Sequence, residues 1–530
     1  MAPVKRVSRS ARRGPVPLAA AAIAVLSLTA AACGGGDGSL GTEIGAAQET
    51  RAETAVGTSR TGMGMTAAGG SAAGGGTCPP PGSAAAAGTV TIAAVTPDID
   101  RLHEVGLGNL ELDAWENILE SYIAEVNGFG GVNGHCFALD FHEYGFATIV
   151  EDIGAICSEV PQAQPLLMLG LALDPVVPQC TTIPAEIPTV GLYTQFSETV
   201  FAAAGGRLHV DHGSTEFLLE NGLRTAASTG VLGPDETIGL LHSGDESAQA
   251  MESILARTAN DLNREVAATA AVPAVLEDAA AAVTEERFHA VGGRLFHPDE
   301  GAFENAVLAM RSEAGDEAGA LVATARQYFL AAATEMRDAG VTIVLGASYW
   351  TSVRNLMRAA ELIGWNPHWI ITDAQFPQLV LTDAPVAQTA NTVQISTKRA
   401  AGDSIGGLDQ ACRILRNTGV AADPFDYRHQ SDAWLLLTET CDYLDIIFAA
   451  ISRTDGPLNR ESFLAALAET DYRTAHGQRV RFSEQDMFGS DSFRVLRADP
   501  DCALNTWGCM RPVTDWLELA TGAGPTNGTE

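Results

Sequence analysis

Strings that could do chemistry are few in these 530 residues. One Gly-x-Ser-x-Gly string, Gly402-Asp403-Ser404-Ile405-Gly406, has the spacing of a nucleophile elbow, which needs its serine on a sharp turn directly off a strand. The nearest strand-like run, Thr392 to Ser396, ends several residues earlier, so Ser404 reads as a loop or helix-start residue. His142, His242 and Asp174 are the right types for a metal or acid/base cluster, yet lone histidines at strand ends are more often satisfied structural groups. HExxH and GxxxxGK[ST] strings are absent, which removes zincin and P-loop chemistry. The glycines between Gly128 and Gly134 leave a helix and enter a strand, the reverse of a dinucleotide fingerprint. The expectation is no catalytic residue, no metal and no cofactor.

The charge points the same way. With 32 Lys+Arg against 65 Asp+Glu the formal net charge is −33, so phosphates repel the chain and a general nucleic-acid binder is excluded.

Lys5, Arg6, Arg9, Arg12 and Arg13 precede an uncharged stretch from Pro17 to Leu28, the order an export machinery reads. Ala30, Ala31 and Ala32 lead to Cys33, which resembles a bacterial lipoprotein signal whose cysteine is lipidated; the alternative is an ordinary signal cleaved after Ala-x-Ala. Residues 34–87 are rich in Gly, Ala, Ser and Thr and read as a flexible tether. Eight cysteines remain beyond Cys33, an even number in an exported chain, with no Cys-x-x-Cys pair at zinc spacing. Cys157 on a helix and Cys180 after the next strand make one favoured pair. Cys412–Cys441 would tie two helices, Cys502 and Cys509 close a small loop, and Cys78–Cys136 follows by elimination.

The elements that position these groups alternate. TVTIAAV (Thr89 to Val95) reads as a buried parallel strand, and Leu112, Trp115, Leu119, Tyr122 and Val126 then form one apolar helical stripe. Further strands are expected at Cys136 to Phe141, Leu166 to Leu171, Pro188 to Tyr193, Thr237 to His242, Val341 to Gly346 and His368 to Thr372. Strands separated by helices make parallel sheets covered on both faces, and two such sheets are implied. Residues 264–340 hold more helix than one crossover needs and read as a helical insertion.

The run Asn127-Gly128-Phe129-Gly130-Gly131-Val132-Asn133-Gly134 resembles the Asn-x-x-Gly-Gly-Ile-x-Gly turn of type I periplasmic solute-binding proteins of the leucine/isoleucine/valine-binding branch. His142 to Val160, Ile187 to Gln195, Gly340 to Phe376 and Phe425 to Ile451 are similar to that family's segments in the same order, so the resemblance spans about residues 88–517. It implies an α/β fold of two doubly wound parallel-sheet lobes joined by three crossovers, near 233–236, 374–390 and 472–478. The first lobe would be 88–234 and 385–475, the second 235–384 and 476–517, with 518–530 a tail. It further implies an extracytoplasmic, lipid-anchored protein that closes on a small polar ligand and hands it to an ABC permease. A sensory ectodomain and an extracellular enzyme are the alternatives.

Ligands of such sheets lie beyond the carboxyl ends of the strands. That rule nominates Thr96 and Asp98, Leu173 and Asp174, Tyr193, Thr194 and Gln195 from one lobe. From the other come Asp245, Tyr349 and Trp350, then Asp373, Gln375 and Phe376. Tyr349 and Trp350 offer flat faces to an organic solute, or pack at a helix start. Amino-acid binders of the family carry consecutive hydroxyl residues after the third strand, where this chain has Ala172-Leu173-Asp174-Pro175. Asp373 lies near the acid that the resemblance would pair with an α-ammonium. Asp174, Asp245 and Asp373 together favour a cationic or hydroxyl-rich ligand, or are loop and helix-cap acids.

Overall fold

A strand buried on both faces belongs inside a parallel sheet, and β1 (Thr89–Pro97) is one, with Ile92 to Val95 almost wholly shielded. The computed structural model describes residues 88–98, 112–145, 149–398 and 431–518, with Cys78 and Ala400, less breaks at 172, 175, 193, 195, 245–247, 274–275, 277–295, 297–299, 315, 349, 374–379, 382–383, 475–477, 484–486, 491 and 502–508. After β1 come α1 (Leu112–Gly128), β2 (Cys136–Tyr144), α2 (Ile149–Ala163), β3 (Leu167–Leu171), α3 (Val176–Cys180), β4 (Thr189–Leu192), α4 (Glu198–Ala204) and β5 (Leu208–Val210). These strands form a five-stranded parallel sheet in the order β2-β1-β3-β4-β5. The α1 stripe faces inward: Trp115, Leu119, Tyr122 and Val126 are all buried in one core cluster with β1 and β3.

The chain then runs through α5 (Thr215–Ser228), β6 (Thr237–Ser243), α6 (Ala248–Asp261), β7 (Glu265–Val272), α7 (Glu300–Ala314), α8 (Asp316–Asp338), β8 (Ile343–Ala347), α9 (Trp350–Leu362), β9 (His368–Thr372), α10 (Val386–Ala390) and β10 (Thr392–Ser396). It ends with α11 (Ser431–Arg453), α12 (Arg460–Ala468), β11 (Asp471–Arg473), β12 (Arg479–Arg481), β13 (Ser492–Asp499), β14 (Cys509–Pro512) and β15 (Leu517–Glu518). The second sheet orders these as β14-β13-β10-β9-β8-β6-β7, with β15 on β13. It is parallel from β7 to β10 and antiparallel at β13 and β14. β11 and β12 make a separate antiparallel ribbon.

All three crossovers differ from the positions the sequence suggested: the first lies earlier in the chain and the other two later. Helix α5 buries Leu218, Leu219 and Leu223 among residues of β6, β8, β10 and β13, so it already belongs to the second lobe. The first crossover is therefore the stretch Asp211 to Ser214, and the 233–236 turn only joins α5 to β6. Strand β10 pairs with β9 and β13, so residues 392–396 stay in the second sheet and the chain leaves it after Ser396, not at 374–390. Val480 and Phe482 remain in the first-lobe core, which moves the third crossover from 472–478 to the residues just before β13. The 264–340 stretch is not all insertion. Its start is β7, an Ala-rich edge strand whose side chains give neither a buried run nor a clean alternation.

Disulfides join Cys78 to Cys136 and Cys157 to Cys180. Cys441 and Cys509 are also disulfide-bonded, while Cys412 and Cys502, the partners expected for them, lie outside the described residues, as does Cys33. Among the described residues no helix is long and apolar enough to cross a membrane.

Candidate functional site

Register decides which residues share an edge. Val95, Gly170, Gly191 and Val210 are paired in a row across the first sheet, so Thr96 and Asp211, one residue further on, stand on its carboxyl edge. In the second sheet His242 pairs with Ala347, and Thr372 with Ile395. The next residues, Ser243, Ser348, Asp373 and Ser396, line that carboxyl edge and are all buried.

Several nominated residues have structural partners. Thr96 Oγ1 donates to the Pro97 carbonyl at 3.1 Å, and Thr194 Oγ1 to the Leu192 carbonyl at 3.1 Å; both side chains are buried. Leu173 folds back over Gly170, where a Cβ would overlap it, and it lies in the first-lobe core. Burial there accounts for its apolar side chain. Asp174 caps a turn: its Oδ1 accepts from Val176 N at 2.8 Å, and its own N–H donates to Tyr144 Oη. Burial raises its pKa, against the lowering effect of the Val176 hydrogen bond. Asp98 donates its backbone N–H to the Tyr144 carbonyl. Trp350 opens α9 with one ring face under the Arg354 guanidinium, 4.6 Å from the centroid.

Asp373 departs furthest from expectation. Its carboxylate accepts from Gln394 Nε2 (2.6 Å), Ser396 Oγ (2.6 Å), Thr397 N (2.5 Å) and Thr397 Oγ1 (2.7 Å). Four neutral donors hold this buried carboxylate, which fixes the turn after β10, and its charge also acts on the nearby Lys398 ammonium. Tyr193, Gln195, Asp245, Tyr349, Gln375 and Phe376 lie outside the described residues.

The strongest electrostatic feature is one that sequence reasoning missed. Lys398, just past β10, sends its ammonium to Glu439 of α11 at 2.9 Å and to Asp211 at the end of β5. All three side chains are at most 6% exposed. Asp211 also holds His212 Nδ1, and its carbonyl accepts from Ser490 Oγ, which in turn accepts from Gln478 Nε2 at 2.9 Å. Burial alone would raise the Asp211 pKa, but the Lys398 ammonium and His212 outweigh it and hold that carboxyl below its ordinary range. Burial likewise works to lower Lys398, and Asp211, Glu439 and Asp373 reverse it, so the lysine pKa is raised. Residues of all three crossovers thus meet at one charged cluster. A signal existed in the sequence: the chain holds only two lysines, Lys5 and Lys398.

Among the described residues no group of His, Cys, Asp and Glu is placed to hold a metal. His242 uses Nδ1 on the Ser243 carbonyl at 2.7 Å, and His142 lies 3.1 Å from Asp140, so the three groups His142, His242 and Asp174 do not form a cluster.

No protein-family model matches the sequence, and no curated protein does. Solved structures match in fold. A branched-chain amino acid ABC transporter protein from Thermus thermophilus with bound valine is 13% identical at a TM-score of 0.52, covering 82% of this chain and 98% of its own. A solute-binding protein from R. palustris in complex with 4-hydroxybenzoate is 10% identical at 0.54, covering 83% and 99%. A fatty acid ABC transporter substrate-binding protein from Thermomonospora curvata is 13% identical at 0.53, covering 81% and 92%. At such identities the likeness speaks for architecture, and with the two sheets and three crossovers described above it establishes that this chain has the type I periplasmic binding-protein fold.

Proposed function

We propose that the chain is an extracytoplasmic solute-binding protein, not an enzyme, that captures a small organic ligand between its lobes and presents it to an ABC-type importer. Cys33 carries the lipid anchor in this reading, and residues 34–87 are the tether, tied at Cys78 to Cys136 of β2. The observation that carries it is the meeting of both carboxyl edges at one hinge: the end of β5 and the end of β10 are bridged by Asp211 and Lys398. Ligands of open α/β sheets sit at such edges, and closure there needs a ligand that contacts both lobes in the shut state. Proteins of the same fold hold valine and 4-hydroxybenzoate, which supports a small organic ligand. The remaining nominated contacts, Asp98, Trp350 and the six residues outside the described set, are the side chains proposed to touch it.

A thermal-shift screen tests this reading, across amino acids, amides, polyamines, aromatic acids and fatty acids. A ligand at about a hundred times its Kd stabilises the folded state by about 2.7 kcal/mol, enough to displace the melting midpoint. The expected result is a saturable upward shift with one chemical class and recovery of that solute unchanged. No shift in any class at millimolar concentration, or conversion of the solute, overturns the proposal.

A further inference from the structure

Lys398 is held at both ends by different bodies. Its backbone belongs to the second lobe: the Lys398 carbonyl accepts from Arg494 Nε (3.1 Å) and Nη2 (2.9 Å) on β13, and its N–H donates to Ser396 Oγ at 3.0 Å. Asp373 clamps the preceding Thr397 through both backbone and hydroxyl. Its ammonium belongs to the first lobe, between Asp211 and Glu439. The stem therefore spans the hinge as a peg whose root is in one lobe and whose head is in a socket of the other.

We propose that Lys398 is the positioning residue for capture, the pivot that fixes how the two lobes face each other before a ligand arrives. The chemistry favours a lysine here. A compact ammonium with three donors fits a closed two-carboxylate socket, whereas the planar fork of arginine needs a wider one. In a chain whose other cations beyond residue 33 are all arginines, the one lysine sits at this socket. Removing the ammonium leaves two buried carboxylates facing each other, which costs far more than losing a surface pair. With the ammonium gone nothing pins the second-lobe root to the first-lobe socket, and the lobes move apart at the hinge as water enters to solvate the two carboxylates. This inference rests on the capture reading for its purpose, but its tests use no ligand, so an empty solute screen and a failed pivot are separate results.

Because Lys398 is the only ε-amine beyond residue 33, acylation by a water-soluble N-hydroxysuccinimide ester, read by mass spectrometry, reports on the socket directly. In the folded, disulfide-intact protein Lys398 should acylate at least 100-fold more slowly than in urea; equal rates overturn the proposal. The second measurement is the interlobe distance distribution without ligand, from spin labels on azido residues at exposed Glu159 and Asp338. Lys398→Met should broaden or shift that distribution while far-ultraviolet circular dichroism stays native, and Lys398→Arg should recover part of the wild-type width. An unchanged distribution in Lys398→Met sinks the idea. Should Lys398→Met fail to fold, Glu439→Gln serves: Asp211 still holds the ammonium, and Lys398 acylation should quicken several-fold. Acylation as slow as in the wild type would show that the socket does not depend on both carboxylates, and the pivot would be rejected.

Discussion

His209 shows how one buried side chain can set a pH limit. It lies on β5 with its ring edge-on to Phe482, centroids 5.0 Å apart, and its Nδ1 has no hydrogen-bond partner among the described residues. Burial lowers its pKa from the ordinary 6.5 to about 4. The unfolded chain therefore takes up a proton below pH 6.5 that the folded chain refuses until about pH 4. Stability is full above pH 6.5, falls as pH drops through that window and levels off below it, by on the order of 3 kcal/mol in total. Urea titrations at pH 7, 6, 5 and 4 should show the decline, and His209→Leu should flatten it. A His209→Leu protein with the wild-type pH slope would assign the effect elsewhere. Asp211 acts in a lower window, because its depressed pKa stabilises the fold above the ordinary carboxylate value and that contribution disappears as pH falls below it. At this scale the sequence was least legible. Leu173 and Asp373 were placed correctly at strand ends, but whether a strand-end side chain faces a ligand or its own turn depends on partners tens or hundreds of residues away. Asp211, Lys398 and Glu439 come from three distant segments, and their proximity is a property of the topology alone.

Among elements, strands with a dense apolar run were readable and those without one were not. LMLGL and TVGL are buried throughout and announce themselves, whereas β7 reads EVAATAAV and β5 is three residues long. The Asn127–Gly134 turn was legible for a backbone reason. Gly131 has φ 79°, a Cβ there would overlap the His135 carbonyl, and Asn127 bonds Phe137 both ways at 2.8 and 2.9 Å. Lobe membership was not legible, because an amphipathic helix such as α5 packs equally well on either sheet in principle. The Cys157–Cys180 bridge gives an element-scale prediction: it ties α2 to the end of α3 across a separation of 23 residues. Closing a loop of that size restricts the unfolded chain by about 3 kcal/mol. The double variant Cys157→Ser, Cys180→Ser should lose roughly that much in urea titration at pH 7. A loss under about 1 kcal/mol would mean that the native packing of α3, not the crosslink, carries the stability there.

At the scale of the whole molecule, the excess of acids works against compactness. A formal charge of −33 gives self-repulsion that grows as salt is removed, since the screening length runs from roughly 10 Å at 0.1 M to roughly 30 Å at 0.01 M. Surface ion pairs such as Arg224–Glu220, 3.0 Å apart and partly exposed, pull the other way, but each is worth at most about 1 kcal/mol and is itself weakened by salt. With thirty-three uncompensated charges against a limited set of exposed pairs, repulsion wins, and the urea midpoint should rise as sodium chloride goes from 10 to 200 mM. A flat or falling midpoint would show that local pairing outweighs net charge. The hinge cluster separates itself in the same experiment. Lys398, Asp211 and Glu439 are shielded from solvent, where ions screen little, so Lys398→Met should lower the midpoint at every salt concentration and leave the slope against salt unchanged. A steeper slope in that variant would place the cluster in contact with bulk electrolyte, and would contradict the closed socket on which the pivot depends.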